Sequence, residues 1–148
     1  MRILVVEDEL LYRAPVREAL EQAGFDVVEA TSGLEAGVLI RTGPVLDALF
    51  TDIALGPGPS GWEVAQAFRV RFPHAPILYA TGYVPGENRS IQGSLLFPKP
   101  YRLPRLVEVL RTLLEPAPEL PPEDEDAVLT RLTYMSRATS LMQHPTPE

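Results

Sequence analysis

The chain has no cysteine in its 148 residues, which excludes disulfides and zinc sites built on thiolates. Histidine is nearly as scarce. His74 and His144 are the only two, they lie far apart, and they form no ligand cluster; His74, in a proline-flanked turn, reads as a surface residue. Positive charge is also short. Thirteen Lys and Arg stand against 20 Asp and Glu, a net charge of −7. That balance argues against nucleic acid as a direct partner, because phosphate binding needs a basic surface. Long apolar runs are missing too. Met1-Arg2 leads into four apolar residues and then Glu7-Asp8-Glu9, far short of the apolar core of a signal peptide or a membrane span. The expectation is a cytoplasmic protein with no membrane association.

What is present is ordinary for a globular protein: 45% apolar and 22% charged residues, enough for one domain with a real core. Ile3-Leu4-Val5-Val6 reads as a buried strand. Residues 9–23 carry Leu10, Leu11, Ala14, Ala19, Leu20 and Ala23 in helical order, with Gly24 as a stop; Pro15 is expected in the first turn, where its missing N–H is tolerated. Residues 25–30 form a second strand. Thr31-Ser32 then cap a helix over 34–41, with Glu35 completing a capping box. Residues 46–51 form a third strand and 62–71 a helix. Residues 76–80 and 95–97 are the fourth and fifth strands. Leu103, Leu106, Val107, Leu110, Leu113 and Leu114 mark an amphipathic helix. Between the last two strands, residues 84–94 contain Pro85, Gly86 and Gly93 and support at most a short, poorly anchored helix.

Alternating strands and helices imply a parallel sheet with ligands beyond the carboxyl ends of its strands. Glu7 and Asp8 follow the first strand, Asp52 the third, Thr81 the fourth, and Lys99-Pro100 the fifth. Acids brought together repel unless a cation neutralises them, and an all-oxygen donor set suits a hard ion, Mg²⁺.

These residues carry a resemblance. "VVEDE", "LFTDI" with Asp52, "YATGY" with Thr81 and "FPKP" with Lys99, in this order and spacing, make residues 1–115 resemble the response-regulator receiver domain of two-component signalling. The resemblance implies an α/β, flavodoxin-like (βα)5 doubly wound sheet of strand order 2-1-3-4-5. It implies phosphorylation of Asp52 by a histidine kinase or phosphotransfer protein. Mg²⁺ would be held by Asp8, Asp52 and the backbone C=O of Ala54, with Glu7 acting through water. Lys99 and Thr81 would bind the phosphoryl group, and Pro100 would follow a cis peptide that aims Lys99. Such a receiver is not an enzyme in the usual sense: it accepts a phosphoryl group and loses it by slow hydrolysis. Many receivers carry an aromatic switch residue where this chain has Leu96. The run Tyr79-Ala80-Thr81-Gly82-Tyr83 is instead similar to the FATGUY subfamily, and Tyr83 is the candidate for an alternative switch.

The loop Gly56-Pro57-Gly58-Pro59-Ser60-Gly61 spells the G-x-G-x-x-G of dinucleotide sites. Pro57 and Pro59 have no N–H for a pyrophosphate, and the loop follows the third strand rather than the first, so the loop reads as a turn from Asp52 into the next helix. Gly61 would serve close approach, and Trp62 packing. An Asp-nucleophile phosphatase of the haloacid-dehalogenase type would need a second Asp where Ala54 stands. A flavodoxin would need a hydroxyl-rich loop after the first strand.

Residues 116–125, rich in proline and acid, read as an extended linker. In 126–148, Val128, Leu129, Leu132, Met135 and Met142 suggest an amphipathic C-terminal helix. One such helix cannot bury its own apolar face, so it is expected on the receiver, on a second copy, or on another protein. The leading expectation is a single-domain response regulator signalling by phosphorylation-dependent protein contact, with residues 84–114 and the C-terminal helix as the surfaces for a homodimer or a partner protein. The alternative is a pseudo-receiver, a binding or dimerisation module that is never phosphorylated.

Overall fold

Four consecutive apolar side chains, Ile3 to Val6, can be satisfied only where both faces of a strand are covered. In the computed structural model they form most of β1 (Arg2–Val6), and each is at most 1% exposed. The structure describes residues 1–82 and 88–116, and in the C-terminal extension Leu129, Leu132, Thr133, Met135, Ser136, Arg137 and Thr139. From β1 the chain continues through α1 (Leu10–Gln22), β2 (Asp26–Ala30), α2 (Gly33–Thr42), β3 (Ala48–Asp52), α3 (Gly61–Arg71), β4 (Ile77–Thr81), β5 (Leu95–Pro98) and α4 (Leu103–Leu114). All strand pairs are parallel and the order is β2-β1-β3-β4-β5.

The sheet splits the core in two. On one face α2 and α3 contribute Ala36, Ile40, Trp62, Ala65 and Phe68 beside Leu4, Leu49 and Tyr79. On the other, α1 and α4 contribute Val16, Leu20, Leu106 and Leu110 beside Ile3, Phe50 and Phe97. Burying each such Leu or Phe is worth roughly 1.5–3 kcal/mol, so the sheet and the loops at its ends have a rigid base.

Several local features depart from the sequence reading. Pro15 lies inside α1, not in its first turn. The carbonyl it leaves without an intrahelical donor is that of Leu11, a residue 84% exposed, where water can serve. At α2, Ser32 accepts from the Glu35 N–H, but the Glu35 carboxylate returns to Thr31, through its N–H (3.1 Å) and its hydroxyl (2.7 Å). The reciprocal capping box is at α3, between Ser60 and Glu63. Residues 88–94 contain no helix, in keeping with the weak helical signal of this segment; the Ile91 N–H donates to the Tyr79 hydroxyl at 3.2 Å. The described positions of the C-terminal extension are helical, and Leu129, Leu132 and Met135 there are exposed. Among the described residues no helix is long and apolar enough to cross a membrane.

Candidate functional site

The parallel register sets the carboxyl ends of β1 and β3 side by side. Val6 pairs with Thr51, which places Asp52, the last residue of β3, beside the Glu7-Asp8 exit from β1. Glu7, Asp8 and Asp52 bring carboxylate oxygens within 4.8 Å of one another. The Glu7 carboxylate accepts from the Glu9 N–H, and Arg13, one helical turn along, donates to the Glu7 carbonyl at 2.9 Å while pairing with Glu29 at 3.2 Å. Arg13 thus ties the β1–α1 turn to β2.

β5 delivers the cation. The Lys99 N–H donates to the Thr81 carbonyl at 2.7 Å, continuing the β4–β5 pairing beyond the strand. Its ammonium reaches Asp52 Oδ2 at 3.1 Å and Glu7 Oε2 at 3.7 Å. The Lys99–Pro100 peptide is cis. Thr81 ends β4; its hydroxyl is buried and has no hydrogen-bond partner. A buried hydroxyl left unpaired costs free energy unless another group arrives to meet it.

Three carboxylates therefore face one ammonium, and the imbalance is visible in their protonation. Burial, and then the neighbouring Asp52 charge, push Glu7 up to about 7. Burial alone would lower Lys99, but the hydrogen bond and charge of Asp52, with Glu7 behind it, outweigh this and hold the ammonium above its ordinary value. Tyr101 is raised by burial and then by Glu7 and Asp52, so it stays a neutral phenol. It packs edge-on against Phe50 at 5.6 Å and Phe97 at 5.1 Å, closing the core beneath Lys99.

The glycine-rich loop borders the site. Gly56 and Gly58 have φ of +73° and +98°, as its turns require. A methyl at Gly56 would come within 3.8 Å of the Asp8 carboxylate. Gly61 has a stricter role: its Cβ position is occupied by the Asp52 carbonyl oxygen, with Ile53 Cα 2.7 Å away. The start of α3 thus rests directly on the backbone of Asp52. Trp62 is 7% exposed and meets Tyr79 edge-on, with ring centroids 4.8 Å apart, a packing residue.

Of the residues singled out in the sequence, Glu7, Asp8, Asp52, Thr81 and Lys99 converge on one edge of the sheet. Ala54 lies exposed in the loop just beyond Asp52. Tyr83, residues 84–87, His144 and most of 117–148 lie outside the described residues. Arg13, Tyr12 and Tyr101 were not legible as site neighbours, although Tyr12 and Arg13 stand four and five residues after Asp8, one turn into the helix.

A sequence model of the response regulator receiver domain matches residues 3–111. The transcriptional regulatory protein CusR of Escherichia coli (strain K12) is 34% identical over 119 residues, 77% of this chain and 51% of that protein. The polar-differentiation response regulator DivK of Brucella ovis is 31% identical over 118 residues, 76% of this chain and 94% of that protein. A solved response regulator receiver protein from Sinorhizobium medicae WSM419 superposes with a TM-score of 0.73 at 30% identity, covering 77% of this chain and 94% of that one. The chain spans about half the length of CusR but nearly all of DivK.

Proposed function

The chain belongs to the response regulator receiver domain family, and we propose that Asp52 is its phosphoacceptor, taking a phosphoryl group from the phosphohistidine of a histidine kinase or phosphotransfer protein. One observation carries this reading: a carboxylate at the end of β3 accepts from a single ammonium, Lys99, at 3.1 Å, and the neighbouring strand β4 ends in a buried, unpartnered hydroxyl, Thr81. An Asp52 oxygen attacks phosphorus in line as the P–N bond breaks, giving an acyl phosphate and a free imidazole. Lys99, already hydrogen-bonded to Asp52, passes to a phosphoryl oxygen of the product. The Thr81 hydroxyl gains the acceptor it lacks. The group adds about −1.5 to −2 of charge, enough to redistribute these partners and bias the loops that carry them.

The donor set also fits Mg²⁺. It is all oxygen, it has excess negative charge, and one carboxylate is pushed up to about 7 by burial and then by the Asp52 charge. Asp8, Asp52 and the Ala54 carbonyl are the residues to hold the ion, with Glu7 acting through water. Bound there, the ion would supply charge neutralisation to the phosphoryl oxygens.

Leu96 and the Tyr79-Ala80-Thr81-Gly82-Tyr83 run support kinship with the FATGUY subfamily, with Tyr83 the alternative switch. We assign residues 1–115 to the receiver, 116–125 to a linker and 126–148 to a helical extension, in a cytoplasmic single-domain regulator. Output is by protein contact through residues 84–114 and the extension, whose exposed Leu129, Leu132 and Met135 suit a partner or a second copy. Incubation with acetyl phosphate, followed by intact-protein mass measurement, tests the assignment. The expected result is a Mg²⁺-dependent gain of one phosphoryl group that Asp52→Ala abolishes. No gain, together with no Mg²⁺ binding, would overturn it in favour of a pseudo-receiver.

A further inference from the structure

Lys99 is the only lysine in the chain. Two carboxylates hold its ammonium from one side, and a third group meets it from another: the ring of Tyr12, with Lys99 Nζ over its face 5.3 Å from the centroid. That is within the range of cation–π attraction. Tyr12 itself is 55% exposed, so core packing does not explain its position. The Lys99 side chain that it meets is 26% exposed. Tyr12 also borders a cleft of about 530 Å³ that Pro15, Val16, Pro100, Tyr101 and Leu103 make largely apolar.

We propose that Tyr12 is a positioning residue for phosphoryl transfer, its ring face keeping the Lys99 ammonium in the site while its carboxylate partner changes. The proposal rests on the assignment of Asp52 as phosphoacceptor. Before transfer, Asp52 at 3.1 Å is the nearer of the two carboxylates that hold Lys99, with Glu7 at 3.7 Å. During transfer the attacking oxygen commits its charge to phosphorus, and Lys99 must move to a phosphoryl oxygen. A lysine is a flexible chain with many rotamers, and release from Asp52 frees it to swing toward solvent. A hydrogen bond to a fixed acceptor would resist the needed movement. A ring face holds a cation without fixing its direction, so it permits the small displacement and opposes the large one.

The single lysine makes the contact directly measurable. In protein labelled with ¹³Cε-lysine, the ε-methylene protons of Lys99 should show an upfield ring-current shift. Tyr12→Phe should preserve that shift and Tyr12→Leu should abolish it. With acetyl phosphate, a donor that has no protein surface to dock, Tyr12→Leu should slow Asp52 phosphorylation about two- to fivefold, and Tyr12→Phe should retain most of the rate. In a Lys99→Met background, Tyr12→Leu should cause no further loss. An ε-methylene signal unmoved by Tyr12→Leu overturns the contact. Wild-type rates in Tyr12→Leu, or equal losses with and without Lys99, overturn the positioning role and leave the Asp52 assignment standing. A wild-type protein that accepts no phosphoryl group overturns both.

Discussion

Gly61→Ala should destabilise this protein, against the usual sign for alanine in a helix. Ala is better than Gly in a helix interior by about 1 kcal/mol, and Gly61 is the first residue of α3. Here the added methyl would land on the Asp52 carbonyl oxygen, 2.7 Å from Ile53 Cα and 2.9 Å from the Asp52 carbonyl carbon. All three are backbone atoms, so no side-chain rotation can make room, and an ordinary carbon contact requires a shift approaching ~1 Å. Forced overpacking of this kind costs roughly 1–3 kcal/mol, and it outweighs the propensity gain. The control is Gly37→Ala in α2, where the methyl meets only the Arg41 Nη1 end of a flexible side chain at 3.2 Å; that variant should be more stable than wild type by up to about 1 kcal/mol. Urea unfolding of both variants gives the comparison. The Gly61 variant should also accept phosphoryl groups more slowly, because the displaced backbone is that of Asp52. Equal stability gains at the two positions would refute the argument that α3 is seated on the phosphoacceptor strand.

Three further outcomes follow from single contacts. Tyr79→Phe removes the acceptor of the Ile91 N–H; it should cost about 1 kcal/mol and speed amide exchange at Ile91, read by hydrogen-exchange NMR. Asp47→Ala removes the carboxylate that accepts the Arg2 N–H at 2.7 Å, leaving that N–H at the start of β1 without its acceptor; a loss of about 1 kcal/mol in denaturant titration is expected. Glu35 is held below the usual carboxylate range by the Thr31 hydroxyl and N–H. Its stabilisation is therefore present above its unfolded pKa and lost as pH falls through the lower folded one. Glu35→Gln should flatten the acid side of the stability–pH curve, and an unchanged slope would count against the contact.

The strands and their parallel pairing are legible because the evidence for them is local, whereas the strand order comes from the resemblance to receiver domains. Short apolar runs bounded by acids, Gly or Pro define the strands, and their alternation with helical patterns implies parallel pairing. Glu7, Asp8, Asp52, Thr81 and Lys99 could be found for the same reason: each follows or ends an apolar run, so topology alone brings them to one edge. Residues that depend on side-chain direction were harder to read. Tyr12 and Arg13 belong to the periodic pattern of α1, and nothing in that pattern says that one faces Lys99 and the other the Glu7 carbonyl. Asp47 interrupts an apolar run, and nothing in that run shows that its carboxylate holds the first N–H of the neighbouring strand. Propensity places Pro15 in a first turn, but the exposed position of Leu11 lets water serve the carbonyl that a proline deeper in the helix leaves without a donor. Tyr79 enters the sequence reading only as the first residue of the Tyr79–Tyr83 run; only the fold shows its hydroxyl accepting from a backbone N–H in the segment after β4.

The central claim is chemical: the phosphoryl group resides on the Asp52 carboxylate. Borohydride reduces an acyl phosphate and leaves a homoserine in place of the aspartate, so the modified position can be read by peptide sequencing in a mass spectrometer. Protein treated with acetyl phosphate and Mg²⁺, then reduced, should carry homoserine at position 52, and omission of Mg²⁺ should abolish it. Homoserine at any other position, or a phosphoryl gain that borohydride does not convert at position 52, would contradict the account.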